Sequence, residues 1–548
     1  MIEKERIGKM AENVENTVVL DGCSLTIDDI VAIGVGDKRV ALSDAALKRC
    51  VESRRFLAEE IGKGRIIYGV NTSFGPMCGK IIRGDEIRKL QLNLIRSHSA
   101  GLGDPLKPYI ALAVLAVRLN SLAKGFSGVR IAVLERLRDL INAGIAPFIP
   151  ECGSVGASGD LVHLAHMALL LIGEGDAYVR TDDNKWREAP AREILRDAGL
   201  EPMELDFKDG LALMNGTSAM TALGAFAVFG ARKLLNLGCV NAAFAMEIFG
   251  GIDDAFDEDL HALKPHPGQI RVADMVRRLY KGSGNITRRE EVHDRISSQR
   301  DDNGPVFETE VNVQDVYSIR CAPQILAPAA EAIEKAVEVL EIEANSSNDN
   351  PLVVPERKKI IHGGNFHGQS VAFAMDSLCM AVAEICNISE RRINKLLDKK
   401  LNEGLPEQLV PGTPGLEMGF MGAQYLATST TAENRQMANP VGTLSISCNS
   451  SNQDVVSMGT IAARKAFKAI SNAKHVLSLE TLADLQALSF RNADKLGRGT
   501  KRLHDILSKD FTPYDDKRIF HDDLTRIRRL LFSSQILDGL DVYCADTA

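Results

Sequence analysis

The chain has one tryptophan among 548 residues, only 5% aromatic side chains, no Cys-x-x-Cys pair and no block of basic residues. Each shortage excludes a class of function. With 65 Lys+Arg against 73 Asp+Glu and a formal net charge of -8, the protein lacks the basic, aromatic-studded face that binds nucleic acid or an anionic membrane surface. Its ten cysteines are scattered without a repeated short spacing, which argues against a disulfide framework. The stretch His163-Leu164-Ala165-His166 lacks the i, i+4 spacing and partner carboxylate of a zinc helix, so no metal is expected. The strongest apolar runs, at residues 109–117 and 161–172, contain polar residues and fall short of the roughly 18 to 20 residues of a membrane span. No bilayer crossing is expected. The start, Met1-Ile2-Glu3-Lys4-Glu5-Arg6, has no apolar run behind it, which predicts no secretory signal and a reducing, cytoplasmic setting. Small molecules and other proteins remain as partners.

What is present is an ordinary core-forming composition, 45% apolar and 25% charged. At about 150 residues per domain the length allows several compact units or one large helical assembly. The dominant period is helical. Across residues 129–145, Val133, Leu134, Leu137, Leu140 and Ile141 recur at three and four, with Glu135, Arg136, Arg138 and Asp139 opposite, and Gly144 marks the end. The same pattern predicts helices over 86–97, 109–123, 326–342, 371–397 and 458–488. Strand signals are short: 177–180 and 186–188 flank Asp182-Asp183-Asn184 and read as one hairpin. Residues 282–312, polar and poor in apolar side chains, are expected to form a surface loop. The expected fold is mostly α, a long-helix bundle. Approximate domains are an N-terminal region over 1–210, a central bundle over 211–500 and a C-terminal helical segment over 501–548.

The most informative run is Gly153-Ser154-Val155-Gly156-Ala157-Ser158-Gly159-Asp160-Leu161, a glycine-rich loop feeding an apolar helix. It matches neither phosphate-loop pattern, and around Ser158 the glycine comes one place too early for a nucleophile elbow. A plain helix cap, with Ser158 or Asp160 as the capping residue, remains open.

In its setting, Ala157-Ser158-Gly159 resembles the prosthetic-group site of the aromatic amino acid ammonia-lyases and 2,3-aminomutases, the histidine, phenylalanine and tyrosine ammonia-lyase superfamily. That resemblance implies an ammonia-lyase/fumarase-like bundle and cyclisation of the tripeptide to 4-methylideneimidazole-5-one (MIO), with no external cofactor. The residue types suit that chemistry: glycine exposes its amide nitrogen and tolerates unusual backbone angles, alanine keeps the ring uncrowded, and serine supplies the hydroxyl that leaves as water. A helix starting just after the ring would favour negative charge on its oxygen.

Further segments match in order over residues 68–458. Tyr68-Gly69-Val70-Asn71-Thr72-Ser73-Phe74-Gly75 resembles the family's mobile loop, which implies Tyr68 as the base for the β-proton. Asn215, in Met214-Asn215-Gly216, resembles the residue that holds the substrate carboxylate and the MIO carbonyl. Tyr317 and Arg320, in Tyr317-Ser318-Ile319-Arg320, match a pair in which arginine forks onto the carboxylate and tyrosine sits by the MIO; a planar guanidinium suits a planar carboxylate. Asn350, in Asp349-Asn350-Pro351, resembles a further residue near the carboxylate. Phe366, in Gly364-Asn365-Phe366-His367-Gly368-Gln369, matches the aromatic beside the MIO. Glu433 and Gln453 correspond to polar residues around the amine and carbonyl, and Gln314 is a further substrate-binding position implied by the resemblance. The family's assembly, a homotetramer whose sites combine residues of three subunits, is implied as well.

Substrate choice in the family is associated with the pair that Ser97-His98 matches here. A polar histidine can bond a phenolic hydroxyl or an imidazole, whereas phenylalanine-preferring members usually carry apolar residues there. A buried polar group discriminates because the wrong substrate leaves it unpaired. Histidine ammonia-lyases share Ser-His but typically read Asn-Phe-His-Ala-Glu and Asn-Gln-Glu-Asp-His, where this chain has Asn365-Phe366-His367-Gly368-Gln369 and Asn452-Gln453-Asp454-Val455-Val456. Tyrosine is therefore the expected substrate. The surroundings of His98 and Phe366-His367-Gly368-Gln369 resemble tyrosine 2,3-aminomutases, while Pro76-Met77 looks more like the lyases. Both readings, and phenylalanine or histidine as substrate, stay open.

Overall fold

The computed structural model describes residues 16–84, 86–299, 304–533 and 535–540. Helices make up most of these residues, and the strands form four small sheets of two or three members. The helical periods fold as expected: Glu86–His98, Pro108–Ala123, Ile131–Asn142, Ala322–Ala344, Gln369–Leu397 and Gly459–Leu488. In Ile131–Asn142 the five apolar residues of the periodic stripe are all buried. Gly144, with a left-handed φ of 63°, donates its N–H to Ile141 O at 3.0 Å and turns the chain out of the helix.

The hairpin is present as Asp176–Arg180 and Trp186–Pro190, paired antiparallel from Asp176↔Pro190 to Arg180↔Trp186. A third strand, Ile145–Pro147, adds to its outer edge; three residues are too short to show an alternation in sequence. Residues 282–312 depart from the expected loop, since they contain the helix Arg289–Ser298. That helix forms without an apolar stripe, with Val292 its one buried residue. Glu290 and Glu291 in its first turn and Arg295 in its last complement the helix dipole.

The four longest helices, Ser218–Phe249, Ala322–Ala344, Gln369–Leu397 and Gly459–Leu488, supply most of the core. Ser218–Phe249 is apolar on nearly every side, so no amphipathic period marks it in the sequence. It and Gln369–Leu397 are long and apolar enough to span a membrane, more than the runs at 109–117 and 161–172 had suggested. In both, most of the apolar stretch (72% and 61%) is buried inside the protein, as core helices are. Glycines let the helices touch: a Cβ on Gly224 would lie 2.7 Å from Leu340 Cδ2, and one on Gly230 2.8 Å from Ile470 Cγ2.

The chain divides into two compact units built from interleaved segments rather than contiguous stretches. The first gathers the described residues of Met1–Phe229, Lys335–Asp376 and Pro440–Phe467. The second gathers those of Gly230–Glu334, Ser377–Asn439 and Lys468–Ala548. Several boundaries fall inside the long helices.

One buried residue couples this core to pH. His163, in the Leu161–Leu171 helix, is held down to a pKa of about 4, against an ordinary 6.5. Burial is the main cause, the backbone of Glu151 works against it, and the charge of Arg464 adds to it. The unfolded chain takes up the proton first as pH falls, so this contribution is complete above about 6.5 and is lost on the way to 4. His163→Leu is therefore expected to retain about 3 kcal/mol more stability at pH 4, relative to its own value at pH 7, than wild type does. Urea denaturation midpoints across that range measure it; equal losses in the two proteins would contradict it.

Candidate functional site

The glycine-rich loop links the short strand Pro150–Cys152 to the helix Leu161–Leu171. Gly153, Gly156 and Gly159 all have positive φ (136°, 70° and 67°). At Gly159 two requirements coincide. Its backbone pairs in parallel with Gly216, and a Cβ on Gly159 would stand 2.0 Å from Gly216 O. On the facing side, a Cβ on Gly216 would collide with Arg118 Nη1 at 2.2 Å. Neither position admits a side chain. Upstream, Gly156 O accepts from Ser457 Oγ at 2.8 Å and from Gly368 N at 3.1 Å. The loop is thus clamped on both sides of Ala157-Ser158.

Asp160 tightens the clamp. It occupies the capping position of its own helix but makes no side-chain cap there. Its fully buried carboxylate instead receives Ser154 Oγ at 2.9 Å and Thr460 Oγ1 on one oxygen, and the N–H of Met220 at 2.9 Å on the other. Met220 lies in the first turn of Ser218–Phe249, so Asp160 caps a neighbouring helix rather than its own. The open choice between Ser158 and Asp160 as a plain cap of Leu161–Leu171 is answered by neither. Burial pushes the Asp160 carboxyl up, against the hydrogen bonds from Thr460, Met220 and Ser154. Its backbone N–H donates to Gly216 O at 2.7 Å.

Between the clamps, Ala157 is buried with Val456 and Met458. Ser158 is half-buried, and its Oγ accepts from Gln453 Nε2 at 2.9 Å. Two more of the expected residues meet beside Gly216. Asn215 Nδ2 donates to Asn350 O at 3.1 Å and to Asp349 Oδ1 at 3.2 Å. Asn350 Oδ1 in turn accepts from Gly363 N at 2.9 Å. Behind them, Lys208 Nζ and Asp349 Oδ2 form a wholly buried ion pair at 2.7 Å. Arg118, also buried, donates to Asn348 Oδ1 at 2.9 Å and to Ala212 O. Burial depresses both cations, Arg118 to about 10, while Asp349 counteracts it in each. This charged floor fixes the turn that carries Asn215 and Asn350.

Tyr68 stands at the start of an irregular segment. Its backbone N–H donates to His362 Nε2 at 3.3 Å, next to Gly363, and its hydroxyl oxygen accepts from Gly75 N at 3.1 Å. Burial raises the Tyr68 phenol above its ordinary pKa, and the Gly75 bond opposes the rise. Phe366 is half-buried, two residues before Gly368 of the clamp. His98 ends Glu86–His98, with Nδ1 3.0 Å from Leu94 O. A carbonyl only accepts, so the ring proton is assigned to Nδ1, which leaves a lone pair on Nε2. Burial lowers the His98 pKa despite the Leu94 bond, which keeps the ring neutral.

The first unit therefore brings Tyr68, Ala157, Ser158, Gly159, Asn215, Asn350, Phe366 and Gln453 into one linked set of loops, while His98 bonds Leu94 and Ser97 of its own helix. Gln314, Tyr317, Arg320 and Glu433 belong to the second unit. There, Gln314 and Arg320 share the wall of a cavity of about 530 Å³, and the Arg320 guanidinium lies 4.6 Å from the centre of the Tyr317 ring. Glu433, exposed, accepts from Asn472 Nδ2 at 2.7 Å. The sequence reading missed Asp160 as an anchor, together with Ser457, Thr460, Arg118, Lys208 and Asp349. Asp160 carried a signal, an acid directly ahead of an apolar helix; the others are ordinary residues until the fold joins them. Among the described residues no group of three or more His, Cys, Asp or Glu is placed to hold a metal.

The model of the aromatic amino acid lyase family matches residues 25–509. A histidine ammonia-lyase of Caldanaerobacter subterraneus subsp. tengcongensis is 40% identical over 95% of this chain and 98% of its own length. Among solved structures, the tyrosine aminomutase of Streptomyces globisporus aligns with a TM-score of 0.91 at 38% identity, covering 97% of this chain and 99% of that one. The histidine ammonia-lyase of Trypanosoma cruzi aligns with 0.85 at 36%, covering 97% and 96%.

Asp160→Leu keeps the approximate volume but strips the acceptors from Ser154, Thr460 and the Met220 N–H. A loss of about 2 to 4 kcal/mol is expected, read from the denaturation midpoint, and an unchanged midpoint would remove Asp160 as the anchor.

Proposed function

The chain belongs to the aromatic amino acid lyase family and is a carbon–nitrogen lyase by that membership, and from this premise we propose that it eliminates ammonia from L-tyrosine to give 4-coumarate. The observation that carries the reading is the double-glycine contact of Gly159 with Gly216, which clamps Ala157-Ser158-Gly159. The residues fit the family's prosthetic group. Gly159 is free of a side chain at the amide that must close on Ala157, its φ of 67° suits a tight backward turn, and Ser158 Oγ already holds a donor, Gln453 Nε2, which favours departure of its oxygen. Ala157, Ser158 and Gly159 would form 4-methylideneimidazole-5-one, which supplies an electrophilic carbon for the substrate amine.

The chain's own residues do the rest. Tyr68 takes the β-proton at its hydroxyl oxygen, with the Gly75 N–H bond helping to hold the phenolate that this needs. Asn215 and Asn350, fixed from behind by the Lys208–Asp349 pair, orient the substrate carboxylate. Phe366 and Gln453 line this site, and in the assembly proposed next Gln314, Tyr317, Arg320 and Glu433 are supplied by further copies, with Arg320 forking onto that carboxylate. Because Tyr317 is 68% exposed, and Leu416, Tyr425 and Ile446 are exposed as well, the working form we propose is a homotetramer whose further copies cover these surfaces and complete each site. The setting proposed is cytoplasmic.

Tyrosine is favoured by the neutral His98 ring, whose Nε2 lone pair accepts a phenolic O–H and is left unpaired by phenylalanine. Where histidine ammonia-lyases usually read Asn-Phe-His-Ala-Glu, this chain has Asn365-Phe366-His367-Gly368-Gln369, and Gly368 leaves the space that Met220 Sδ occupies, 2.4 Å from where a Cβ would stand. A second reading, tyrosine 2,3-aminomutase, is supported by the likeness to the Streptomyces enzyme. The two share elimination and differ in whether the product leaves before the amine returns.

Separate incubation with tyrosine, phenylalanine and histidine, followed by chromatography of arylacrylates and β-amino acids, tests the reading; turnover of none would sink it. Ser158→Ala is expected to lose essentially all turnover and the mass deficit of two waters while keeping its melting behaviour. Near-normal activity would remove the prosthetic group. Tyr68→Phe should lose turnover but keep that deficit. His98→Phe is expected to shift kcat/KM toward phenylalanine over tyrosine by about a hundredfold or more, and an unmoved ratio would show that His98 does not read the ring.

A further inference from the structure

Arg392 and Glu480 form a buried ion pair in the second unit that none of the roles above uses. They sit on Gln369–Leu397 and Gly459–Leu488, with side chains 1% and 0% exposed. The guanidinium forks onto the carboxylate: Nε donates to Oε1, and Nη2 donates to Oε2 at 3.1 Å. Asn241 Nδ2 adds a bond to Oε2 at 3.0 Å, and Thr481 Oγ1 holds Asn241 Oδ1 at 2.9 Å. One helical turn beyond Glu480, Asp484 is buried with neither oxygen hydrogen-bonded among the described residues. Burial first, and the charge of Glu480 second, push its carboxyl well above the ordinary range, against the charge of Arg392.

A buried ion pair returns little net stability against apolar residues of the same volume, so its geometry points to another role. The remaining donor of Arg392, Nη1, donates to the carbonyl of Ser318 at 3.4 Å. Ser318 lies inside the four-residue helix Tyr317–Arg320, between the two side chains assigned to the substrate. The helix runs through Cys321 into Ala322–Ala344, with the Cys321 N–H closing on Tyr317 O at 3.0 Å, whereas the Ser318 carbonyl takes its bond from Arg392, outside the helix. Arg320 holds a second anchor through Nε on Asp315 O at 2.8 Å.

We propose that Arg392, held by Glu480, is a positioning residue that sets the Tyr317–Arg320 turn through the Ser318 carbonyl and so aims Tyr317 and Arg320 at the substrate carboxylate. The substrate in that statement rests on the proposed function; the hold on the turn does not.

Two variants separate positioning from bulk stability. Arg392→Lys keeps the charge but cannot both fork onto Glu480 and reach Ser318. Arg392→Met combined with Glu480→Leu removes the anchor while filling the space with apolar atoms, so the fold is retained. In each, amide hydrogen exchange followed by mass spectrometry is expected to speed up about tenfold in peptides covering residues 317–321, with little change elsewhere. KM for the amino acid is expected to rise about tenfold while kcat moves less than about threefold, because carboxylate binding is lost equally from ground and transition states. Unchanged exchange in the turn overturns the proposal, as does a lowered melting point with unchanged KM. If wild type turns over none of the amino acids, the functional reading fails while the exchange comparison still decides the hold on the turn.

Discussion

The contact of two bare backbones, Gly159 against Gly216, is the constraint from which the site follows. A tripeptide that must bend back on itself has to be pressed into that shape by something rigid, and a backbone is the most rigid surface a protein offers at such range. The missing side chain at Gly159 permits the approach, and the missing side chain at Gly216 leaves room behind it for Arg118 and Asn348. The Asp160 N–H bond to Gly216 O and the Ser457 and Gly368 bonds to Gly156 O hold the loop at either end. Ser158 is left between these holds, its hydroxyl bonded by Gln453.

Rigidity of this kind needs support from behind, and the support is ionic. Lys208 and Asp349 pair with both side chains fully buried, Arg118 braces Asn348 and Ala212, and Asp160 ties the loop to the first turn of Ser218–Phe249. Such groups are costly to bury and gain little as stabilisers. Their value lies in directionality: each has few alternative partners, so the groups they hold have few alternative positions. Arg392 and Glu480 repeat the arrangement in the second unit, behind Tyr317 and Arg320.

Helices with one apolar stripe, such as Ile131–Asn142, were legible because burial on one face imposes a period of 3.6 on the chain. Ser218–Phe249 was not, since a helix buried all round has no stripe to read, and Arg289–Ser298 was not, since charges at its ends hold it instead of an apolar face. The strand Ile145–Pro147 exists because its neighbour offers an edge, which no three-residue pattern can announce.

The candidate site divides along the same line. Local chemistry was written in the chain: an Ala-Ser-Gly between glycines, an acid before an apolar helix, a tyrosine in a glycine-bearing segment, an arginine one turn after a tyrosine. Residue order suffices for such features because each acts through its own few neighbours. What tertiary structure alone decided was the partnership between distant segments. Gly216 meets Gly159, Gln453 reaches Ser158, Asp160 caps a helix that is not its own, and Lys208 finds Asp349. Those pairings depend on how long helices pack, and packing is set by the summed shape of many side chains, which no single stretch of sequence contains.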